Sequence, residues 1–308
     1  MLVFWILFNL FVVAMLALDL GVLHRRAHRV GVREALAWSA LWIALAAAFA
    51  VLVLFWHGRA PALQFVTGYV VELSLSFDNL FVFLVVFRYF KVPSEYRHKV
   101  LFWGILGALL MRGAFILAGV GLIRRFGWIT YAFGALLVYS GFKLLRHGEA
   151  EIHPEKNFVL RLFRRVFPVT EEYVGGQFFT RQSSVRSNGI YATPLLVALL
   201  VVETSDIVFA ADSIPAVLAI TLNAFIVYTS NVFAILGLRS MYFALAGMMD
   251  RFHHLHYGLS LVLIFVGIKM LASHYLTIPT ALALGIVLFV LAASILASWM
   301  NLRKKLPG

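Results

Sequence analysis

Long apolar runs alternate with short, mostly basic connectors along the chain. A helix needs about 20 predominantly apolar residues to cross a bilayer. Runs of that order occupy residues 2–22, 34–56, 63–87, 99–121, 127–145, 190–220, 223–246, 256–272 and 278–300. The pattern therefore predicts an all-α polytopic membrane protein, a single integral membrane domain over 1–308 with about nine transmembrane helices. The run 190–220 is long for one straight helix and is expected to tilt, break or begin with an interfacial turn. The first run lacks a basic leader and a small-residue cleavage site and is followed by HRRAHR, as expected of a retained helix rather than a signal peptide. Residues 146–189 form a long connector. Within it Phe158, Val159, Leu162, Phe163 and Val166 share one helical face and Arg161, Arg164 and Arg165 the other, which predicts an amphipathic helix on the cytoplasmic leaflet.

Composition sharpens this picture. With 62% hydrophobic and 13% charged residues and a mean hydropathy of +0.92, the chain lacks the polar residues to cover a soluble domain of its size. The absence of cysteine excludes disulfides, thiolate metal sites and thiol catalysis, so a bound metal must be held by oxygen or imidazole. A formal charge of +12 raises nucleic acid as a partner, but the basic residues lie in loops between apolar runs, where they report topology instead. Most of the 26 Lys and Arg residues fall on the cytoplasmic side if the amino terminus is outside and the carboxyl terminus inside; Arg124 and Arg125 oppose that orientation.

Two of the apolar runs carry acids. Glu72 and Asp78 lie in VVELSLSFDNLFVF, and Glu203, Asp206 and Asp212 in VVETSDIVFAADSIPAV. Carboxylates at membrane depth are costly, face a protein interior or a water-filled cavity, and mark ion or substrate pathways. The clusters belong to a repeat. Glu72 to Asp78 and Asp206 to Asp212 are both six residues apart. The next run of each half carries ILGALLMRGAF with Arg112 or AILGLRSMYF with Arg239, and the third ends in SGFKLL with Lys143 or VGIKML with Lys269. Consecutive repeats of three spans enter the membrane from opposite sides, so 63–145 and 195–271 are expected to form an inverted pair, as in many secondary transporters.

On unbroken helices Glu72 and Asp78 lie about 120° apart, and Glu203 and Asp212 about 180° apart. A site in which all of them face one ion therefore requires the helices to unwind. Pro215, which lacks an amide hydrogen, frees the carbonyl of Ala211 and makes the second run the better candidate for a break. With Asn79, Ser76, Ser205 and Ser213 nearby, the oxygen donors suit Mg²⁺, Ca²⁺ or Mn²⁺ rather than Zn²⁺ or Cu⁺. The competing reading is that the carboxylates hold helices together by pairing with Arg112 and Arg239.

The motifs ALDLGVLHR, GYVVELSLSFDNLFVF, FKVPSEYRHKVLFWGILGALLMRGAF, ETSDIVFAADSIPAV and NVFAILGLRSMYF, in that order over nearly the whole chain, resemble the TerC family. These are tellurite-resistance-associated integral membrane proteins that include Alx-type manganese exporters. The resemblance implies divalent-cation transport, foremost Mn²⁺ efflux across a bacterial inner membrane, with Glu72, Asp78, Glu203, Asp206 and Asp212 as ligands. Its members have also been linked to calcium, tellurite and membrane-protein biogenesis. The runner-up function is accordingly a membrane-embedded interaction or assembly factor.

Arg112 and Arg239 read as counter-ions to the carboxylates or as structural pairs, and Lys143 and Lys269 as snorkelling or charge-balancing residues near helix ends. His253, His254 and His256 beside Asp250 form a His-rich turn, more often incidental than metal-binding. Asn9 and Asp19 are expected to face the bundle, Asp19 capping or pairing with Arg25. No nucleophile-base arrangement, phosphate loop or cofactor motif is present, so neither an enzyme nor a bound cofactor is expected. The expected partners are a divalent cation as substrate and membrane lipids. The expected mechanism is alternating access: Glu72, Asp78, Asp206 and Asp212 take the ion up ionised, one repeat rocks against the other, and protonation outside aids release.

Overall fold

A computed structural model describes residues 2–18, 31–147, 158–184, 187–246, 255–275 and 278–305. Each predicted run coincides with a helix: α1 (Leu2–Leu18), α2 (Val32–His57), α3 (Arg59–Tyr89), α4 (Ser94–Arg125), α5 (Ile129–His147), α7 (Pro194–Leu218), α8 (Ala224–Ala246), α9 (Leu255–Leu271) and α10 (Thr280–Lys305). Among the described residues six helices are long and apolar enough to cross a membrane: α2, α3, α4, α7, α8 and the Thr280–Ser298 part of α10. α1 and α9 contribute shorter apolar stretches. The outer surface is apolar, with Leu54, Phe55, Trp56, Leu110, Leu117 and Phe289 exposed, as a lipid-facing surface requires.

The connector after α5 departs from the all-helical expectation. It holds the short helix α6 (Phe158–Val166) and an antiparallel hairpin of β1 (Phe179–Ser184) and β2 (Ser187–Ala192), in register with Thr180 opposite Tyr191 and Gln182 opposite Gly189. Residues 190–192, predicted as part of a helical span, are therefore strand. Pro194 explains the boundary, because a proline is accommodated at the first helical position, and Thr193 is the N-cap. α6 also uses a different face from the one expected. Leu160 is buried and Phe163 packs on the core, while Val159, Leu162 and Val166 remain exposed.

α3 packs on α8 as α4 packs on α7; α3 meets α7, α4 meets α8, and α5 lies along α9. The α5–α9 contact is a backbone approach. A Cβ on Gly141 would lie 2.9 Å from the Ser260 carbonyl oxygen, and one on Gly267 would lie 2.8 Å from that of Gly134, so only glycine permits this separation.

Buried side chains form two apolar clusters. Along α4 one includes Leu101, Ile105 and Leu109 and the other Ile116, Val120 and Ile123; along α7 the first ends at Val202 and the second begins at Ala210. The changeover brackets Arg112 on α4 and Asp206 on α7. A polar layer thus lies between two apolar ones, near the middle of both helices.

Candidate intramembrane polar site

Glu72 from α3, Arg112 from α4 and Asp206 from α7 meet in this layer, with relative exposures of 0%, 1% and 4%. The Arg112 guanidinium pairs with Glu72 Oε1 and, at 3.1 Å, with Asp206 Oδ1. Arg112 Nε also donates to Asp206 Oδ2 (3.4 Å), and Nη1 donates to Ser213 Oγ (3.3 Å) and to Asn231 Oδ1 (3.4 Å). Asn79 Nδ2 donates to Asp206 Oδ1 (3.0 Å), and Ser76 Oγ donates to Glu72 Oε1 (3.4 Å). Elements from both halves of the chain thus close on one guanidinium.

The convergence is reached without unwinding. α3 is helical from Arg59 to Tyr89 and α7 from Pro194 to Leu218, with Pro215 accommodated inside the helix, so the expected breaks are absent. Instead Glu72 and Asp206 approach from different helices, and the long Arg112 side chain spans the gap. Pro215 still removes one amide hydrogen from the ladder beside Asp212, leaving the Ala211 carbonyl without its helical donor.

The remaining predicted residues take separate positions. Asp212 accepts from Ser140 Oγ of α5 (2.8 Å). Both line a cavity of about 500 Å³ that also touches Asn79, Arg112, Lys143 and Ser213. This cavity runs from the guanidinium cluster to Asp212, so the two parts of the predicted site line one cleft. Glu203 lies against Gly107 of α4, where a Cβ would collide with its carboxylate; glycine is what admits the acid. Arg239 is buried on α8, and Lys269 lines a separate cavity of about 240 Å³ near Thr130 and Leu218. The Asp78 side chain, Asp19, Asp250, His253 and His254 lie outside the described residues. Asn9 is exposed, its amide bonded to the Trp5 carbonyl oxygen and its oxygen accepting from Tyr228.

Three oxygens in this region lack a hydrogen-bond partner among the described residues: Glu72 Oε2, Asn79 Oδ1 and Glu203 Oε2. Buried acceptors without donors are rare because each carries an uncompensated desolvation cost. Among the described residues no three His, Asp or Glu side chains come close enough to hold a metal together. Two participants escaped the sequence reading, Asn231 and Ser140. Each was visible as a polar residue in an apolar run, in VYTSNVFAIL and LVYSGFKLL.

Apolar helices with a lipid-compatible exterior and ionisable groups buried at mid-helix define a polytopic integral membrane protein with a polar intramembrane centre. The chain belongs to the integral membrane protein TerC family, whose model matches residues 57–306. It is 51% identical over 299 residues to the membrane protein STKORF319 of Myxococcus xanthus, covering 97% of this chain and 92% of that one. It is 44% identical over 312 residues to a protein of Escherichia coli (strain K12) named "Putative membrane-bound redox modulator Alx", covering 97% and 95%. A Rickettsia bellii membrane protein is 36% identical over 294 residues, 96% of each chain. None of these three carries an enzyme's name. No solved structure matches the chain.

Proposed function

We propose that the chain carries a divalent cation, Mn²⁺ foremost, out of the cytoplasm by alternating access through the polar layer. The observation that carries this reading is the buried meeting of Glu72 and Asp206 on Arg112. With both carboxylates ionised the triad holds one net negative charge, and Glu72 Oε2 and Asn79 Oδ1 are oxygen acceptors with nothing to accept from. Hard cations are bound by such carboxylate and amide oxygens. Arg112 acts as a tethered substitute for the substrate. It offsets one of the two negative charges in the ion-free state, and an entering cation displaces it toward the cavity that Asp212, Ser140 and Lys143 line. Asp78, Glu203, Asp212 and Ser213 complete the proposed path; Arg239, Lys143 and Lys269 balance its charge.

Mn²⁺ leads over Mg²⁺ and Ca²⁺ through the family likeness, since the oxygen chemistry accepts all three. The contact pattern, α3 on α8 mirrored by α4 on α7, supports the pairing of 63–145 with 195–271 as an inverted repeat. The excess of Lys and Arg between alternate spans supports an outside amino terminus in a bacterial inner membrane.

The second reading is a membrane-embedded assembly or modulating factor without transport. The pairing of both acids with Arg112 favours it, because a structural ion pair needs nothing more. Flux measurements on purified protein in liposomes separate the two. A transporter carries Mn²⁺ and loses that ability in Glu72→Gln and Asp206→Asn while keeping its abundance. A wild-type protein that moves none of Mn²⁺, Ca²⁺ and Mg²⁺ removes the transport reading.

A further inference from the structure

A second polar feature lies away from the intramembrane site, at the end of the bundle where α3 turns into α4. We propose that the groove between this turn, α6 and the start of α7 binds the phosphate headgroup of an anionic glycerophospholipid, a role independent of the transport reading. The groove encloses about 570 Å³ and is lined by Lys91, Arg164, Thr170, Glu171, Pro194 and Val197, among others. Neither Lys91 nor Arg164 has an ion-pair partner among the described residues. Glu171 is the one acid in the lining, so the groove carries a net positive charge. The first turn of α7 borders it, and a helix N-terminus adds the positive end of its dipole.

The walls are held in place. Lys91 adopts φ 52, a left-handed conformation secured by the bonds from Lys91 N to Arg88 O (3.1 Å) and Val92 N to Phe87 O (2.9 Å). The Tyr173 hydroxyl donates to the Phe90 carbonyl oxygen (2.6 Å). Across the groove, Thr170 N donates to Ala192 O and Ala192 N to Pro168 O, both at 2.9 Å, tying the Val169–Glu171 rim to β2.

What selects a lipid over free phosphate is α6. Leu160 anchors the helix, leaving Val159, Leu162 and Val166 outward with exposures of 41%, 50% and 67%, beside Arg161 and Arg165. A ligand with a phosphate in the groove and acyl chains along this stripe satisfies both surfaces, whereas inorganic phosphate satisfies the groove alone.

Native mass spectrometry of the detergent-purified full-length chain, incubated with phosphatidylglycerol, phosphatidylcholine or inorganic phosphate, tests the proposal. Wild type is expected to retain phosphatidylglycerol over phosphatidylcholine. Lys91→Gln with Arg164→Gln is expected to lower that retention roughly thirtyfold, and Glu171→Gln to raise it. Arg181→Gln, in β1 outside the groove lining, is expected to leave it unchanged. The Glu171 variant adds affinity rather than removing it, so the test survives a double variant that fails to fold. Equal retention of the two lipids by wild type, undiminished retention by a folded double variant, no gain in Glu171→Gln, or displacement of phosphatidylglycerol by millimolar phosphate would each overturn it.

Discussion

Arg112 is the residue on which the buried polar layer depends. Removing one partner of a buried ion pair strands the other charge, at a cost of about 3–5 kcal/mol. Arg112→Ala strands Glu72 and Asp206 together, so its thermal midpoint in detergent should fall well below wild type. A triple variant, Arg112→Met with Glu72→Gln and Asp206→Asn, should recover most of that loss, because no formal charge then remains at those three positions. An unchanged midpoint in Arg112→Ala would mean that the three groups are not energetically linked. Glu203 makes a different demand. Its carboxylate occupies the space that Gly107 leaves open, so Gly107→Ala must push the acid aside. The displaced group sits at the end of a flexible side chain, and the variant is expected to fold normally while its Mn²⁺ flux changes.

At the scale of elements, the α5–α9 contact is set by backbone. Gly141→Ala or Gly267→Ala places a methyl against a carbonyl oxygen under 3.0 Å away, and overpacking of this kind costs about 1–3 kcal/mol. Both variants should unfold at lower temperature than Gly121→Ala, where nothing lies within 4 Å. The docked segment after α6 offers a pH signature. Burial pushes the Tyr173 phenol up to about 12. An acid whose folded pKa is raised lends stability that is whole below its unfolded value near 10 and is lost as pH climbs through 12. Subtracting the alkaline absorbance titration of Tyr173→Phe from that of wild type should reveal one phenol ionising near pH 12; ionisation near 10 would mean the segment is not docked.

The helices were legible because hydropathy alone marks a span, and the acids because a charge in an apolar run has no cheap explanation. Three things were not legible. β1 and β2 are short and polar, and lie in a connector where hydropathy carries no signal. The apolar side chains of α6 divide between protein and surface, and one sequence cannot assign which does which. Helix breaks were inferred from the angular spacing of acids within each helix, which has no access to neighbouring helices. The packing of α3 against α7 and the reach of Arg112 supplied the convergence instead.

For the molecule as a whole, two apolar clusters enclose a charged layer that joins α3 and α4 to α7 and α8, the arrangement expected if one half moves against the other around a fixed site. In the proposed mechanism such motion exchanges Arg112 for the substrate cation, which makes transport and the ion pair alternatives at the same carboxylates. Mn²⁺ flux into proteoliposomes by wild type, Glu72→Gln and Asp206→Asn tests this most directly. The account predicts measurable wild-type flux that is lost in either variant, a fall larger than the roughly 10–100-fold that follows removal of a group merely supporting a metal ligand, with folding and membrane insertion intact. Undiminished flux in both variants would contradict it.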